Sequence, residues 1–166
     1  MSVNCSKKKL SIGKQTFDCA IGVNGSIPEA EGREGDGKTP LGTYLLRYGF
    51  YRADRIEEPD TQLVMHEICE DDGWCDAPED AAYNRLVRLP YPASAEEMFR
   101  DSTVYDVVLV LGHNDTPPVA GRGSAIFLHV AREGYKPTQG CVAVSLDDMM
   151  KIVPDLPRGA IIEIGK

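Results

Sequence analysis

The chain has 166 residues, 42% of them hydrophobic, which suits one core of ordinary size and is too short for two, so residues 1–166 are read as a single domain. The 18 Lys and Arg against 26 Asp and Glu leave a formal charge of −8, which repels a phosphate backbone and argues against nucleic acid as a partner. No stretch approaches the ~18 consecutive apolar residues of a spanning helix, so no membrane partner is expected, and the polar opening MSVNCSKKKLSIGKQ lacks the apolar segment of a secretory signal, which points to the cytoplasm.

In chain order, KLSIGKQTFDCAIG reads as a hairpin of two alternating strands around Gly13-Lys14. The Gly-rich stretch from Asn24 to Lys38 reads as a mobile surface loop. Pro40 and Gly42 then turn the chain into a strand over about residues 43–51. QLVMHEI reads as another short strand and CEDDGWCDAPEDAAYNR as a loop. SAEEMFR has Ser94 and Glu97 at capping-box spacing, which predicts a short helix. The β-branched runs 104–112 and 124–131 read as strands buried on both faces. SLDDMMKIV offers Ser145 as N-cap of a helix with acids in its first turn and Pro154 beyond it, and AIIEI closes the chain as a strand. The fold class expected is mainly β.

Five cysteines (Cys5, Cys19, Cys69, Cys75 and Cys141) are an odd number in a chain that needs no covalent staples, so reduced thiols are expected. Cys69 and Cys75 are the pair whose spacing would suit a bridge under oxidation. Cys141 stands out because a glycine precedes it in GYKPTQGCVAVS, and because His113 and His129 end the two most apolar strands. A neighbouring imidazole that takes its proton makes a thiol a nucleophile. Backbone N–H groups around Gly140 and Cys141 would then supply an oxyanion hole. Two other readings stand beside this one: an inert core cysteine, and a zinc site made of His113, His129 and Cys141. His66 reads as a surface or locally satisfied histidine.

DGKTPLGTY, followed some ninety residues later by IFLHVA and PTQGCVAVS, resembles the L,D-transpeptidase catalytic domain of the YkuD type. That family's pattern is a Thr-Pro-x-Gly turn, a strand ending in His, then Ser or Thr, any residue and Gly-Cys. The resemblance implies an L,D-transpeptidase-like β-sandwich with one or two short helices. It makes Cys141 the acyl-accepting thiol, His129 the general base, Gly140 the oxyanion-hole glycine and Thr138 the Ser/Thr position. It also implies no cofactor and no metal, peptidoglycan stem peptides as substrates, and carbapenem-type β-lactams as acylating inhibitors. The bond attacked would join the L centre of a diamino acid to D-alanine; because the opening lacks an export signal, transfer of the acyl group to water is expected, as an L,D-carboxypeptidase of peptidoglycan recycling, with transfer to an amine by an L,D-transpeptidase as the alternative. An inactive stem-peptide-binding module is the alternative from another class. Two positions depart from the pattern: Ala143 stands where the family commonly has Arg, and Gln139 where a basic residue often precedes Gly-Cys. Carboxylate recognition is therefore expected from Arg122 or Arg132, which flank the His129 strand, while His113 and Asn114 are expected to line the pocket.

Overall fold

The computed structural model describes residues 1–166. Its strands are β1 (Ser2–Asn4), β2 (Lys9–Ile12), β3 (Gln15–Asp18), β4 (Ser26–Pro28), β5 (Thr39–Tyr51), β6 (Met65–Glu67), β7 (Asp72–Cys75), β8 (Leu86–Arg88), β9 (Ala95–Glu97), β10 (Val107–Leu111), β11 (Phe127–Val130), β12 (Val142–Val144) and β13 (Ile161–Gly165). One α-helix, α1 (Leu146–Ile152), follows β12, and single 3-10 turns occur at Glu29–Glu31, Thr103–Tyr105, Glu133–Tyr135 and Val153–Asp155. The large sheet runs β12-β11-β10-β5-β13-β1-β2-β3, with β4 and β6 beside β5. Its far ends meet where Ala20, just past β3, bridges Ala143 of β12 and Gly22 bridges Thr138, so the sheet folds over onto itself as a sandwich. A second sheet, β8-β7-β9, lies against one face.

Alternation along the strands sorts side chains between two cores. In β10, Val107, Leu109 and Leu111 enter a core of 23 residues shared with β13 and α1, while Val108 and Val110 face a smaller core of 10 residues with Trp74, Met98 and Phe127. In β5 the parity changes: Tyr44 and Leu46 face the large core, yet Phe50 faces the small one. The cause is a bulge, since Leu109 pairs with Gly49 but Leu111 with Leu46, leaving an extra residue on β5. One long strand thereby serves both cores.

Several expected elements hold. Ile12 pairs with Gln15 across Gly13-Lys14, as the hairpin requires. Ser145 Oγ accepts from the Asp148 N–H at 3.1 Å, capping α1. Others change. SAEEMFR forms no helix: residues 95–97 are β9, paired antiparallel to β7, because Met98 is fully buried and the ladder places Glu96 opposite Trp74. Tertiary pairing there overrides a local capping signal. The presumed loop over 69–85 contains β7, the buried centre of the small sheet. The strand expected from about residue 43 begins at Thr39, where Pro40 is tolerated at the start of the strand beside β4. The presumed loop 24–38 carries β4 and a 3-10 turn. The single α-helix is α1, and all five cysteines are free.

Candidate active site

β11 and β12 are parallel neighbours, so residues 131–141 carry the chain from the C-terminal end of β11 back to the opposite end of the sheet, where β12 begins. Val142 pairs with Leu128, which sets Cys141 level with Phe127. Leu128 and Val142 face the large core, whereas Phe127 and Cys141 face the small one. His129, two residues beyond Phe127, shares that face by strand alternation. The parallel register thus places Cys141 and His129 on one side of the sheet, and both line one cavity of about 430 Å³.

Two backbone groups hold the thiol. Phe127 N–H donates to Sγ at 3.3 Å, and Sγ donates to the Ala125 carbonyl at 3.1 Å. Ala125 is a non-glycine residue at φ +52, a conformation with a steric cost, and this turn directs its carbonyl at the thiol. Asn84 fixes that turn: its Oδ1 accepts from Ala125 N–H at 3.0 Å and from the Trp74 indole at 2.9 Å, while its Nδ2 donates to the carbonyls of His113 and Asn114. Every hydrogen-bonding position of this buried amide is used.

His129 is buried, and its Nδ1 lies 2.9 Å from the Val130 carbonyl. A carbonyl only accepts, so Nδ1 carries the proton and the neutral ring keeps its lone pair at Nε2. Burial pushes the imidazole down to about 4, against the opposing pull of the Val130 and Val104 carbonyls. Burial likewise pushes the Cys141 thiol up to about 12, with the Glu96 charge adding to the effect and the Phe127 N–H and Arg100 opposing it. No hydrogen bond joins thiol to imidazole; the resting pair is neutral, not a thiolate–imidazolium pair.

The turn before Cys141 is tied by Thr138, whose Oγ1 donates to the Cys141 carbonyl at 2.6 Å and accepts from the Gly140 N–H at 3.2 Å. Gly140 adopts φ +142, and a Cβ there would stand 3.0 Å from the Lys38 carbonyl. Both observations require glycine. Because Thr138 occupies the Gly140 N–H, the amide free to meet an oxyanion is that of Cys141.

The structure brings Cys141, His129, Thr138 and Arg132 to the cavity. It does not bring His113, Asn114 or Arg122 there. Asn114 closes a local turn, donating to the Val119 and Gly123 carbonyls and accepting from Val119 N–H. His113 and Arg122 line an adjoining cleft of about 30 Å³, where His113 stacks edge-on against Tyr44 with Glu29 3.3 Å from its Nδ1. No three His, Cys, Asp or Glu side chains converge as a metal site would require, so the His113–His129–Cys141 zinc arrangement is not formed.

The cavity also holds residues that sequence spacing did not expose. Tyr105 sets its ring edge-on to His129 at 5.4 Å between centroids, and its hydroxyl donates to Glu96. Arg100 donates to the same carboxylate and lies over the Tyr105 ring at 4.6 Å. Lys136, Glu34 and Asp76 complete the charged lining. The one local sign of this group was Glu96-Arg100 at i,i+4 spacing, which reads equally as an exposed helical pair.

No curated protein and no solved structure matches the chain. The family profile described as the L,D-transpeptidase catalytic domain, YkuD, matches residues 6–164, nearly the whole length. With the mainly β sandwich and the His129–Cys141 strand pair in place, that match identifies the chain as a member of the YkuD L,D-transpeptidase catalytic-domain family, which acts on peptidoglycan peptides.

Proposed function

We propose that the protein is a cysteine-dependent L,D-carboxypeptidase that removes D-alanine from the diaminopimelate of peptidoglycan tetrapeptide stems. The observation that carries the reading is the convergence of Cys141, His129 and the unoccupied Cys141 N–H on one cavity. Substrate binding brings the scissile carbonyl to Sγ. The thiol proton passes to Nε2 of His129 as the S–C bond forms, and the Cys141 N–H stabilises the oxyanion. The neutral resting pair suits this concerted proton removal, because no charge is buried until substrate is present. The imidazolium then gives its proton to the departing D-alanine amine, leaving a thioester at Cys141. Water, deprotonated by His129, attacks that thioester and releases a tripeptide stem.

Water is proposed as the acceptor, since His129 lines the same cavity as Cys141 and can serve as the base that activates it. Trimming of this kind belongs to the recycling of released stem peptides. The cations Arg100, Arg132 and Lys136 are the candidates for the substrate carboxylates, taking over from the absent arginine at position 143. Carbapenem-type β-lactams are proposed to acylate the same thiol. The test is incubation with a diaminopimelate tetrapeptide, with and without excess D-methionine. Tripeptide and free D-alanine as main products in both cases support hydrolysis; dominant D-methionine exchange or peptide dimers would assign transpeptidation instead.

A further inference from the structure

One short turn supplies two of the groups that surround His129. Thr103–Tyr105 forms a 3-10 turn in which Val104 and Tyr105 are each only 4% exposed. From it the Tyr105 ring packs edge-on against the imidazole, 5.4 Å between centroids, and the Val104 carbonyl faces the same ring closely enough to favour its protonated form. The turn is secured from two sides. Within the cavity lining, the Tyr105 hydroxyl donates to Glu96 Oε1, and Arg100 donates to that same oxygen while lying over the Tyr105 ring at 4.6 Å. Outside the lining, Arg55 donates to the carbonyls of Arg100, Asp101 and Ser102 and to Asp106 Oδ1 at 2.8 Å. Arg52, itself buried, donates from its guanidinium to the Arg100 carbonyl and from its backbone N–H to the Asp106 carbonyl at 3.0 Å. A single 3-10 turn without a side-chain cap has little rigidity of its own, so these contacts on both flanks fix where the Tyr105 ring stands.

The imidazole of His129 is tied through Nδ1 to the carbonyl of its own neighbour Val130, a bond that sets the tautomer and leaves the swing of the ring towards Cys141 to packing. Proton transfer is sensitive to such placement, since a shift of about 1 Å can cost on the order of 100-fold in rate. We infer that Tyr105 is a positioning residue for the reaction: its ring, tethered through the hydroxyl to Glu96, holds the His129 imidazole towards Cys141 and keeps water from it. The role rests on the acyl-enzyme reading and deepens it, adding no covalent step. The titratable groups facing His129 are Cys141, Tyr105, Arg100 and Arg132, with Glu96 at the far end of the Tyr105 side chain; both arginines disfavour a charged imidazole. Burial pushes the Tyr105 hydroxyl up, so it is uncharged. Exchanging Tyr105 for another uncharged side chain leaves every charge around His129 in place, and a change in the titration of His129 then reports the entry of water.

The experiment follows the wild-type, Tyr105→Phe and Tyr105→Met proteins by consumption of a diaminopimelate tetrapeptide and by the pH dependence of Cys141 acylation by a carbapenem. Methionine fills the space without a ring, and phenylalanine keeps the ring without the tether. Tyr105→Met should lose at least about tenfold in kcat with KM within about twofold of wild-type, because acylation and deacylation both use His129. Its acid limb should rise from about 4 towards 6.5 as water reaches the imidazole, whereas Tyr105→Phe should keep the limb at about 4 and most of the kcat. Wild-type kcat and acid limb in Tyr105→Met, or a raised KM with kcat unchanged, would overturn the positioning role. If Tyr105→Met does not fold, Arg55→Gln decides by the same readings: a lower kcat at constant KM with a raised limb supports the role, and wild-type values overturn it. Peptide consumption is followed whatever the acceptor, so dimer formation by the wild-type protein would overturn hydrolysis alone. Neither cleavage nor acylation by the wild-type protein would overturn the acyl-enzyme reading and the role of Tyr105 together.

Discussion

The thiol of Cys141 donates to the carbonyl of Ala125 at 3.1 Å and makes no hydrogen bond to His129, although both side chains line one cavity on one face of adjacent parallel strands. The nucleophile is thus held as a thiol by the backbone until a substrate displaces that contact. Catalytic hydrogen bonds that are long in the free enzyme and tighten in the complex are a common pattern.

The first consequence is a pH profile without an imidazole limb near neutrality. The His129 ring sits at about 4, so it is a neutral base throughout the range above that value. The rate constant for acylation of Cys141 by a carbapenem should therefore show no acid inflection near the ordinary histidine value and fall only as pH approaches about 4. An inflection near 6.5 absent in His129→Gln would mean that His129 titrates as an ordinary, solvated histidine.

Stability should carry the same signature. An unfolded chain protonates this histidine near 6.5, whereas the folded chain resists until about 4. The unfolded state binds more protons between those values, so stability is fully present above about 6.5 and is lost as pH falls towards 4, by roughly 3 kcal/mol from this group. Urea unfolding at both ends of the window should show a smaller pH-dependent loss in His129→Gln than in the wild-type chain. Equal losses would contradict the assignment.

Gly140→Ala should reduce turnover by at least about tenfold, because φ +142 is strained for any side chain and the new methyl would press on the Lys38 carbonyl at 3.0 Å. The displaced turn would move the Cys141 N–H away from the forming oxyanion. A variant with normal kcat would show that this amide is not the stabilising donor.

Asn84→Ala should destabilise the chain by about 2–4 kcal/mol, since it removes an amide that satisfies four groups and leaves the Trp74 indole and Ala125 N–H without their acceptor. Activity measured well below the melting temperature should fall as well, because the Ala125 carbonyl that holds the thiol depends on this turn. Denaturant titration alongside steady-state kinetics checks both. A neutral effect on both would remove Asn84 from the account.

What could be read from the sequence was what local physics encodes. The continuous apolar runs of β10 and β11, the Gly13-Lys14 turn and the Ser145 cap all act within a few residues. The Gly-Cys turn and its histidine strand were visible through their order along the chain. The small sheet was not, since Asp72–Cys75 is acidic and glycine-broken and becomes a strand only between β8 and β9. The capping-box spacing of Ser94 and Glu97 gave a false helix for the same reason. Tyr105, Arg100, Glu96 and Asp76 reach Cys141 only through folding, and no spacing relates them to it. Asn84, a lone amide in a polar stretch, reads as a turn residue until its four partners are seen. Asn114 shows the reverse, a residue that read as pocket lining and proves to be a turn.

Cleavage by this mechanism passes through a thioester at Cys141. Intact-mass measurement of the protein mixed with diaminopimelate tetrapeptide and quenched within a turnover, followed by peptide mapping, tests it directly. The expected result is a transient adduct equal to the tripeptide acyl group, located on Cys141 and absent in Cys141→Ala, which should be inactive. An adduct on another residue, or tripeptide release that persists in Cys141→Ala at more than a few per cent of the wild-type rate, would contradict it.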